Sequence, residues 1–243
     1  LGCAAIATGH YARARDGRLY RGQDPAKDQS YFLWGIDRAV LSRMLTPVGG
    51  LTKAETRAHA RRLGLATADK PESVEISCVP GDDYVQALEQ HLSAGSAALT
   101  PGPLVSTTGE TLGEHGGYAR YTIGQRRGLP GGASGPRYVV AIRPASREVV
   151  IGGADDLLGH QLRLEELNWL ADPLQAGDQC LVQVRYRAAA VPAIVHSMDA
   201  ASLGLVLSTP VRAITPGHSG TPSTAADPQL GAGGSAGCVT PCP

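Results

Sequence analysis

Residues 3–22 read CAAIATGHYARARDGRLYRG, and the fold of the first part of the chain follows from this stretch. The continuous apolar run at 3–8 is typical of a buried parallel strand. The alternating residues after it surround Asp16-Gly17, a dipeptide that favours two-residue β-hairpin turns. A parallel strand followed directly by a hairpin predicts an α/β domain, which we place at residues 1–76.

Two helices are predicted further along the chain. The sequence TKAE at 52–55 is a capping box, so a helix begins there and ends before Gly64. The acidic pair at 82–83 is a suitable N-cap for a second helix through VQALEQHL at 85–92.

The second half of the chain changes to short strands with turn residues between them. Segments of this kind lie at 103–115, 138–153 and 180–195, a pattern typical of small barrels or sandwiches. The pattern alone leaves open whether these strands form barrels or sandwiches.

The segment 219–243 contains no aromatic residue and a single charge, Asp227. Such a composition cannot bury enough apolar surface to order itself, so we expect a disordered tail. The abrupt change in composition also indicates an aberrant terminus. On this interpretation a barrel or sandwich formed by the preceding strands lacks its last strands and keeps an open edge.

Composition and charge exclude several classes of protein. The chain has 243 residues with 22 basic and 22 acidic side chains, so a globally basic nucleic-acid binder is not indicated. No apolar run reaches the roughly 18 residues of a membrane span, and no signal peptide is visible. The five cysteines form no CxxC pair, which predicts no metal site and reduced thiols in the cytoplasm. The chain lacks an initial Met and begins inside a predicted strand, which indicates a fragment.

The sequence TGHY at 8–11 follows the first predicted strand directly. Ligands of open α/β sheets bind beyond the carboxyl ends of strands, and Gly9 would let the backbone approach a nucleotide there. His10 could hydrogen-bond a phosphate or a base. The alternative is a plain strand end with a surface histidine.

The sequence KDQSY at 27–31 places a cation, a carboxylate, an amide and an aromatic ring together. This mixture can hold a phosphate, read a base edge and stack on a base. The alternative is a helix start, with Asp28 or Ser30 as the cap.

A basic stretch extends over residues 116–147, with six arginines, no Asp or Glu and three interleaved tyrosines. Arginine with aromatic rings suits an RNA backbone and unstacked bases, and RYR at 185–187 repeats the pattern. A solvated, arginine-rich barrel surface is the alternative.

Cys78 lies in KPESVEISCVPGDDY at 70–84, among several carboxylates. Neighbouring negative charge disfavours a thiolate, so the local sequence alone indicates a buried structural cysteine rather than a nucleophile.

Seven blocks of the chain together resemble one family, the tRNA-specific 2-thiouridylases (MnmA type), over residues 1 to about 218. The resemblance implies the C-terminal part of a PP-loop (adenine nucleotide α-hydrolase-like) ATPase domain at 1–76, then a small central domain at 77–157 and a C-terminal β-barrel domain at 158–218. In order, the blocks are ATGHYAR, KDQSYFLW, PVGGLTKAETR, LGLATADKPES, GDDY, YTIGQRRGL and VRYRAAAVPAIV.

The resemblance also implies a reaction and the residues that serve it. ATP with Mg²⁺ would adenylate the wobble uridine of tRNA, and a cysteine persulfide supplied by a sulfur-relay donor protein would replace its C2 oxygen. The protein would be a monomer. Gly9 would contact ATP, and a further group of residues would contact tRNA: His10, Lys27, Asp28, Gln29, Arg185, Tyr186 and His218 (where the family has Gln), together with the patch of Arg126 and Arg127.

Two departures from the family pattern change the expectation for this chain. The phosphate-binding Ser-Gly-Gly-Val-Asp-Ser loop and the first catalytic cysteine are absent from the 243 residues, so we expect the chain alone to be inactive. Ser77 occupies the position of the persulfide cysteine and Cys78 comes one residue later; we assign the persulfide to Cys78. Alternatives are a non-catalytic tRNA-binding module and, less favoured, another PP-loop enzyme.

Overall fold

The structure, a computed structural model, describes residues 2–70, 84–93, 95–131, 135–224 and 236–241. The chain divides into two compact units. The first consists of Leu1–Lys70, His160–Pro210 and Ile214–Pro243, and the second of Pro71–Gly159 and Val211–Ala213. The domain boundaries expected from the sequence stay predictions.

The N-terminal part of the first unit contains short strands and two helices. Their bounds are β1 Ile6–Ala7, β2 Ala12–Arg15, β3 Arg18–Arg21, α1 Arg38–Leu41, β4 Met44–Leu45 and α2 Lys53–Arg62. β2 and β3 pair antiparallel, and Asp16 and Gly17 between them have φ of 52° and 68°. Two successive positive φ angles define a type I′ turn, so the predicted hairpin is confirmed.

Helix α2 begins and ends as its sequence predicts. The Thr52 hydroxyl accepts from the Glu55 N–H, and the Glu55 carboxylate accepts from the Thr52 N–H, which completes the capping box. After the helix, Gly64 has φ of 66° and donates to the carbonyl of Arg61, while Leu65 donates to that of Ala60. These two bonds form a Schellman motif.

The first apolar run forms a strand, but the prediction that this strand is buried is wrong. β1 pairs in parallel with β4, as Ile6 with Met44 and Ala7 with Leu45. Ile6 and Leu45 expose 57% and 56% of their surfaces. The two strands are only two residues long and form a sheet of their own, so the described residues do not cover both faces of it.

The C-terminal part of the first unit is a closed β-barrel in the strand order β10-β11-β12-β9-β14-β13. The bounds are β9 Leu158–Asn168, β10 Gln179–Gln183, β11 Val191–Met198, β12 Ser202–Arg212, β13 Ser219–Thr224 and β14 Ala236–Pro241. Its interior contains fully buried aliphatic side chains from alternating strand positions, among them Leu162, Leu164, Val182, Val195, Leu203 and Leu205.

The structure contradicts the expected open barrel edge, and it contradicts the expected disorder for residues 219–224 and 236–241, the parts of the tail that it describes. Residues 219–224 form β13, which pairs antiparallel with β10, and residues 236–241 form β14, which pairs with β9 and β13. The expectation failed because it counted apolar side chains only. Main-chain hydrogen bonds to the neighbouring strands incorporate this segment, and closure satisfies the backbone groups that an open edge would leave unpaired.

The hairpin and the barrel share a core within the first unit. Ala12, Leu19, Leu41 and Met44 pack with Leu170, which follows β9, and all five are buried. The side-chain amide of Asn168 donates to the carbonyls of Trp34 and Ile36. The segment that follows KDQSY is thereby fixed to the end of a barrel strand.

The second unit contains helix α3 (Tyr84–His91) and a four-stranded sheet of order β6-β5-β8-β7. Its strands are β5 Gly102–Ser106, β6 Thr111–His115, β7 Tyr138–Arg143 and β8 Glu148–Gly152. Leu104, Val139, Val149 and Ile151 form its buried core. These elements confirm the predicted second helix and the predicted strands of this region, while the expected caps at 82–83 lie outside the described residues.

Within the described ranges, the structure has no helix that is both long enough and apolar enough to cross a membrane.

Candidate nucleic-acid interface

Asp28, in the middle of KDQSY, organises its own loop. Its carboxylate accepts from the N–H of Gly22 at 2.9 Å, from the N–H of Ser30 at 3.1 Å and from the Ser30 hydroxyl at 3.0 Å. The Arg21 guanidinium lies 3.3 Å from the same carboxylate, whose side chain is only 9% exposed. The carboxylate is therefore committed to contacts within the loop, and the loop conformation depends on it.

Arg21 connects this loop to the barrel. Its Nη2 donates to Oε1 of Gln183, the last residue of β10, at 3.0 Å. The Gln183 amide in turn donates to the carbonyl of Arg185 at 2.9 Å. A chain of hydrogen bonds thus runs from Asp28 to the turn that carries Arg185 and Tyr186.

Gln29 and His10 are brought close through the backbone of Tyr11. The Gln29 N–H donates to the Tyr11 carbonyl at 2.8 Å, and the Tyr11 N–H donates to Oε1 of Gln29 at 3.0 Å. His10 precedes Tyr11, and its Nδ1 is 2.7 Å from the Thr8 hydroxyl. Lys27 is half-buried in the same loop. The structure therefore assembles the predicted residues His10, Lys27, Asp28 and Gln29 around one loop.

Tyr31 ties this loop to the barrel a second time. Its hydroxyl donates to the carbonyl of Ser219, the first residue of β13, at 2.6 Å, and the ring is buried. Burial raises the pKa of Tyr31, although the Ser219 hydrogen bond and the nearby Arg185 charge oppose that shift. The phenol therefore stays protonated and keeps its hydrogen bond at neutral pH.

Arg185 and His218 lie close together at the same end of the barrel. Nη2 of Arg185 donates to the Thr215 hydroxyl at 3.1 Å, and the His218 N–H donates to the Thr215 carbonyl at 3.3 Å. Burial first, and then the Arg185 charge, lower the pKa of His218. Its imidazole is therefore neutral at pH 7 and can both donate and accept a hydrogen bond.

These contacts define one surface, which we call the loop–barrel junction. Tyr186 completes it, because its ring centroid is 6.3 Å from that of Tyr31 and 4.5 Å from that of Phe32. The junction combines cations, a neutral imidazole, amides and aromatic rings, the groups that bind phosphates and unstacked bases. Its members are Lys27, Asp28, Gln29, Tyr31, Phe32, Gln183, Arg185, Tyr186, Arg187 and His218, with His10 and Arg21 beside the loop.

Gly9 lies two residues after the end of β1 and is exposed. A Cβ at this position would meet no atom within 4 Å. The backbone is therefore open to a ligand, but the open space alone does not require glycine.

Arg126 and Arg127 lie in the second unit, in an exposed turn after the segment 118–121. In the structure, ion pairs neutralise part of the positive charge of the basic stretch around them. Arg120 forms an ion pair with Glu89 at 2.9 Å, and Arg143 forms one with Glu148 at 2.9 Å. Two of its six arginines are thus balanced by carboxylates from outside the stretch.

Cys78 and Ser77 lie outside the described residues. Of the cysteines whose side chains the structure describes, Cys3 is exposed and Cys180 is buried. Burial, with a smaller contribution from the Asp178 charge, raises the pKa of Cys180 to about 11. Cys180 is therefore a protonated core thiol and not a nucleophile at neutral pH.

Sequence reasoning missed three of the residues that hold the junction together: Arg21, Asn168 and Gln183. It interpreted Tyr31 as a ring that could stack on a base, whereas the structure buries this ring and bonds its hydroxyl to Ser219. Arg21 and Gln183 are 162 positions apart, and no local pattern links them. A signal was available for Tyr31 alone, because a tyrosine inside the motif that contains Asp28 could have been expected to anchor it. No group of three or more His, Cys, Asp or Glu side chains within the described part of the chain is placed to hold a metal ion.

Three family models match the chain consecutively. They are described as the tRNA methyl transferase HUP domain at residues 1–81, the tRNA methyl transferase PRC-barrel domain at 88–153 and the aminomethyltransferase beta-barrel domain at 159–220. An α/β first part followed by β-rich parts, the last of them a barrel, agrees with the fold described above.

Curated relatives match across the same range. The tRNA-specific 2-thiouridylase MnmA of Acidithiobacillus ferrooxidans is 44% identical over 224 residues, which is 90% of this chain and 63% of the relative. The protein of that name from Carboxydothermus hydrogenoformans is 42% identical over 90% of this chain and 61% of its own length. The one from Solibacter usitatus is 41% identical over 96% and 66%. The chain spans a little over three fifths of the first two relatives, and it belongs to the tRNA-specific 2-thiouridylase family.

Proposed function

We propose that this chain forms the tRNA-binding part of a tRNA-uridine 2-sulfurtransferase, which replaces the C2 oxygen of the wobble uridine by sulfur. The observation that carries the proposal is the loop–barrel junction. It gathers six residues that the family resemblance assigned to tRNA, although they come from three separate parts of the chain, and a seventh, His10, lies beside the loop. The names of the relatives supply the reaction.

The junction suits tRNA because its charge is positive and its hydrogen-bonding groups are varied. Lys27, Arg185 and Arg187 provide cations for phosphates, and His218 provides a neutral donor and acceptor for a base edge. Asp28 takes a positioning role in this proposal, since its carboxylate is occupied by Arg21, Gly22 and Ser30.

Two cofactors, ATP and Mg²⁺, belong to the proposed reaction. ATP would activate the uridine oxygen as a leaving group. Gly9 offers an open backbone, but the described residues include neither a glycine-rich phosphate loop nor an acidic cluster for a cation. These residues do not suffice for a nucleotide site, so no step through ATP is derived from them. We propose that the 243 residues alone do not form 2-thiouridine.

Cys78 is the proposed persulfide carrier, with sulfur supplied by a donor protein. The expected result of incubating the chain with a persulfide donor is a persulfide on Cys78 that Cys78→Ser abolishes and Cys180→Ser retains. A persulfide elsewhere would contradict the assignment. If no cysteine takes up sulfur and tRNA still binds, the non-catalytic tRNA-binding module becomes the better description. We place the protein in the cytoplasm as a monomer.

The test of the binding site is the affinity for tRNA at several salt concentrations. Binding through phosphates weakens as salt rises, and removal of one phosphate-contacting cation reduces the salt slope by about 1. We expect Lys27→Gln and Arg185→Gln to lower both affinity and slope. Arg61→Gln, which removes an equal charge from the exposed face of α2, is the control. Equal effects of all three substitutions would refute a site at the junction.

A further inference from the structure

Phe32 is an exposed aromatic ring in a structured setting. It exposes 55% of its surface, which is high for a phenylalanine. A single exposed apolar side chain needs no explanation. Phe32, however, is joined to a second ring, because its centroid lies 4.5 Å from that of Tyr186 at an interplanar angle of 46°.

Tyr31 packs against Phe32 and fixes the position of its ring. The two rings meet edge to face, with centroids 5.5 Å apart and an interplanar angle of 81°. Tyr31 itself is buried and bonded to the carbonyl of Ser219. The exposed ring is therefore held by a rigid neighbour, and little side-chain freedom would be lost when a ligand stacks on it.

Arg187 adds a cation to this pair of rings. Its guanidinium lies 5.2 Å from the centroid of Tyr186, within the range of a cation–π contact. Arg187 has φ of 62°, a left-handed conformation that is rare and unfavourable for a residue other than Gly. Strained positions of this kind concentrate at binding sites, where the surrounding structure holds them.

We propose that Phe32 and Tyr186 form a stacking platform for one unstacked nucleobase of the bound RNA, with Arg187 close enough to contact its phosphate. This inference rests on the proposed function, because it requires RNA at the loop–barrel junction. A nucleobase fits better than an apolar peptide, because two arginines, Arg185 and Arg187, and the polar His218 adjoin the rings. Stacking on aromatic rings tolerates any base, so the platform orders the strand without reading its sequence.

The experiment measures the affinity of the 243-residue chain for a fluorescently labelled anticodon stem–loop RNA, over a range of salt concentrations. Phe32→Ala is expected to weaken binding by roughly 5- to 150-fold, the usual effect of losing one stacked base. The salt slope is expected to stay unchanged because no phosphate contact is removed. Phe32→Trp is expected to bind as tightly as the native chain. Ile194→Ala, a 50% exposed apolar residue on β11, is the control and is expected to have no effect.

A set of RNAs with one abasic loop position each identifies the stacked base. For one loop position, removal of the base is expected to weaken binding to the native chain. The same abasic RNA is expected to bind the Phe32→Ala variant as tightly as the intact RNA binds that variant. Additive losses at every position would overturn the platform. If the native chain binds RNA and Phe32→Ala binds equally well, the platform is wrong and the proposed function stands. If the native chain does not bind RNA, both proposals fail.

Discussion

Arg21 of the β-hairpin and Gln183 of the barrel are joined by a hydrogen bond of 3.0 Å, although 162 positions separate them in the sequence. Asp28 holds the other side of the Arg21 guanidinium at 3.3 Å. The geometry of the loop–barrel junction therefore depends on the Asp28 carboxylate, whose other hydrogen bonds are made within its own loop. Removing that carboxylate should affect folding and RNA binding together.

Asp28→Asn is expected to lower the free energy of unfolding by about 1–3 kcal/mol, because a charged acceptor of several hydrogen bonds is lost from a side chain only 9% exposed. Urea denaturation followed by circular dichroism measures the change. Asp69→Asn, which breaks an exposed ion pair with Arg61, is the control and should change stability little. Equal effects would show that Asp28 has no special role in the loop.

Tyr31→Phe is expected to destabilise the first unit by about 1 kcal/mol, since it removes the hydroxyl that donates to Ser219 and retains the ring. The raised pKa also has a consequence at alkaline pH. The unfolded phenol loses its proton near pH 10, before the folded one does, so the contribution of Tyr31 to stability is complete below that pH and declines above it. Denaturant titrations at several alkaline pH values should show a shallower decline for Tyr31→Phe than for Tyr20→Phe.

Cys180 is expected to resist alkylation at neutral pH. Its thiol is buried with a pKa of about 11, whereas Cys3 is exposed. Brief treatment of the native protein with iodoacetamide, followed by peptide mass spectrometry, should label Cys3 and leave Cys180 unmodified. Because the unfolded thiol titrates at about pH 8.5, stability should fall as the pH rises from there toward 11, and Cys180→Ala should weaken that dependence. Rapid labelling of Cys180 in the folded protein would contradict its burial.

Gly49 and Gly50 form a matched pair of neighbours. A Cβ at Gly49 would overlap the carbonyl of Ala12, whereas one at Gly50 would meet nothing within 4 Å. Gly49→Ala is expected to cost about 1–3 kcal/mol through overpacking. Gly50→Ala is expected to be neutral or to stabilise by up to about 1 kcal/mol, since it restricts the unfolded chain. The melting temperatures of the two variants measure this difference in stability. A Gly49→Ala protein as stable as the native one would refute the close approach of Gly49 to the Ala12 carbonyl.

Local signals in the sequence predicted the local structure well. The turn at Asp16-Gly17 and the helix after Thr52 depend on residues within four positions of each other, and both are confirmed. The burial of β1 was predicted wrongly, because a run of apolar residues does not say what covers it.

The candidate site could be predicted only in part. The sequence showed Lys27, Asp28 and Gln29 as a cluster of candidate RNA-binding residues. It did not show that the Asp28 carboxylate is occupied by contacts within its own loop. The orientation of Asp28 depends on Arg21, and Arg21 contacts Gln183 only after the hairpin and the barrel have packed together. Phe32 likewise looked like an ordinary apolar residue until Tyr186 was placed beside it.

The closure of the barrel by β14 has a consequence for how this chain can evolve. β14 is inserted between β9 and β13, so its backbone is paired on both sides. A strand held in this way is specified mainly by its peptide groups, and mutation can replace many of its side chains without removing a single ladder bond. Substitutions in β14 are therefore expected to be tolerated while its main-chain pairing remains, whereas a deletion there would reopen the barrel.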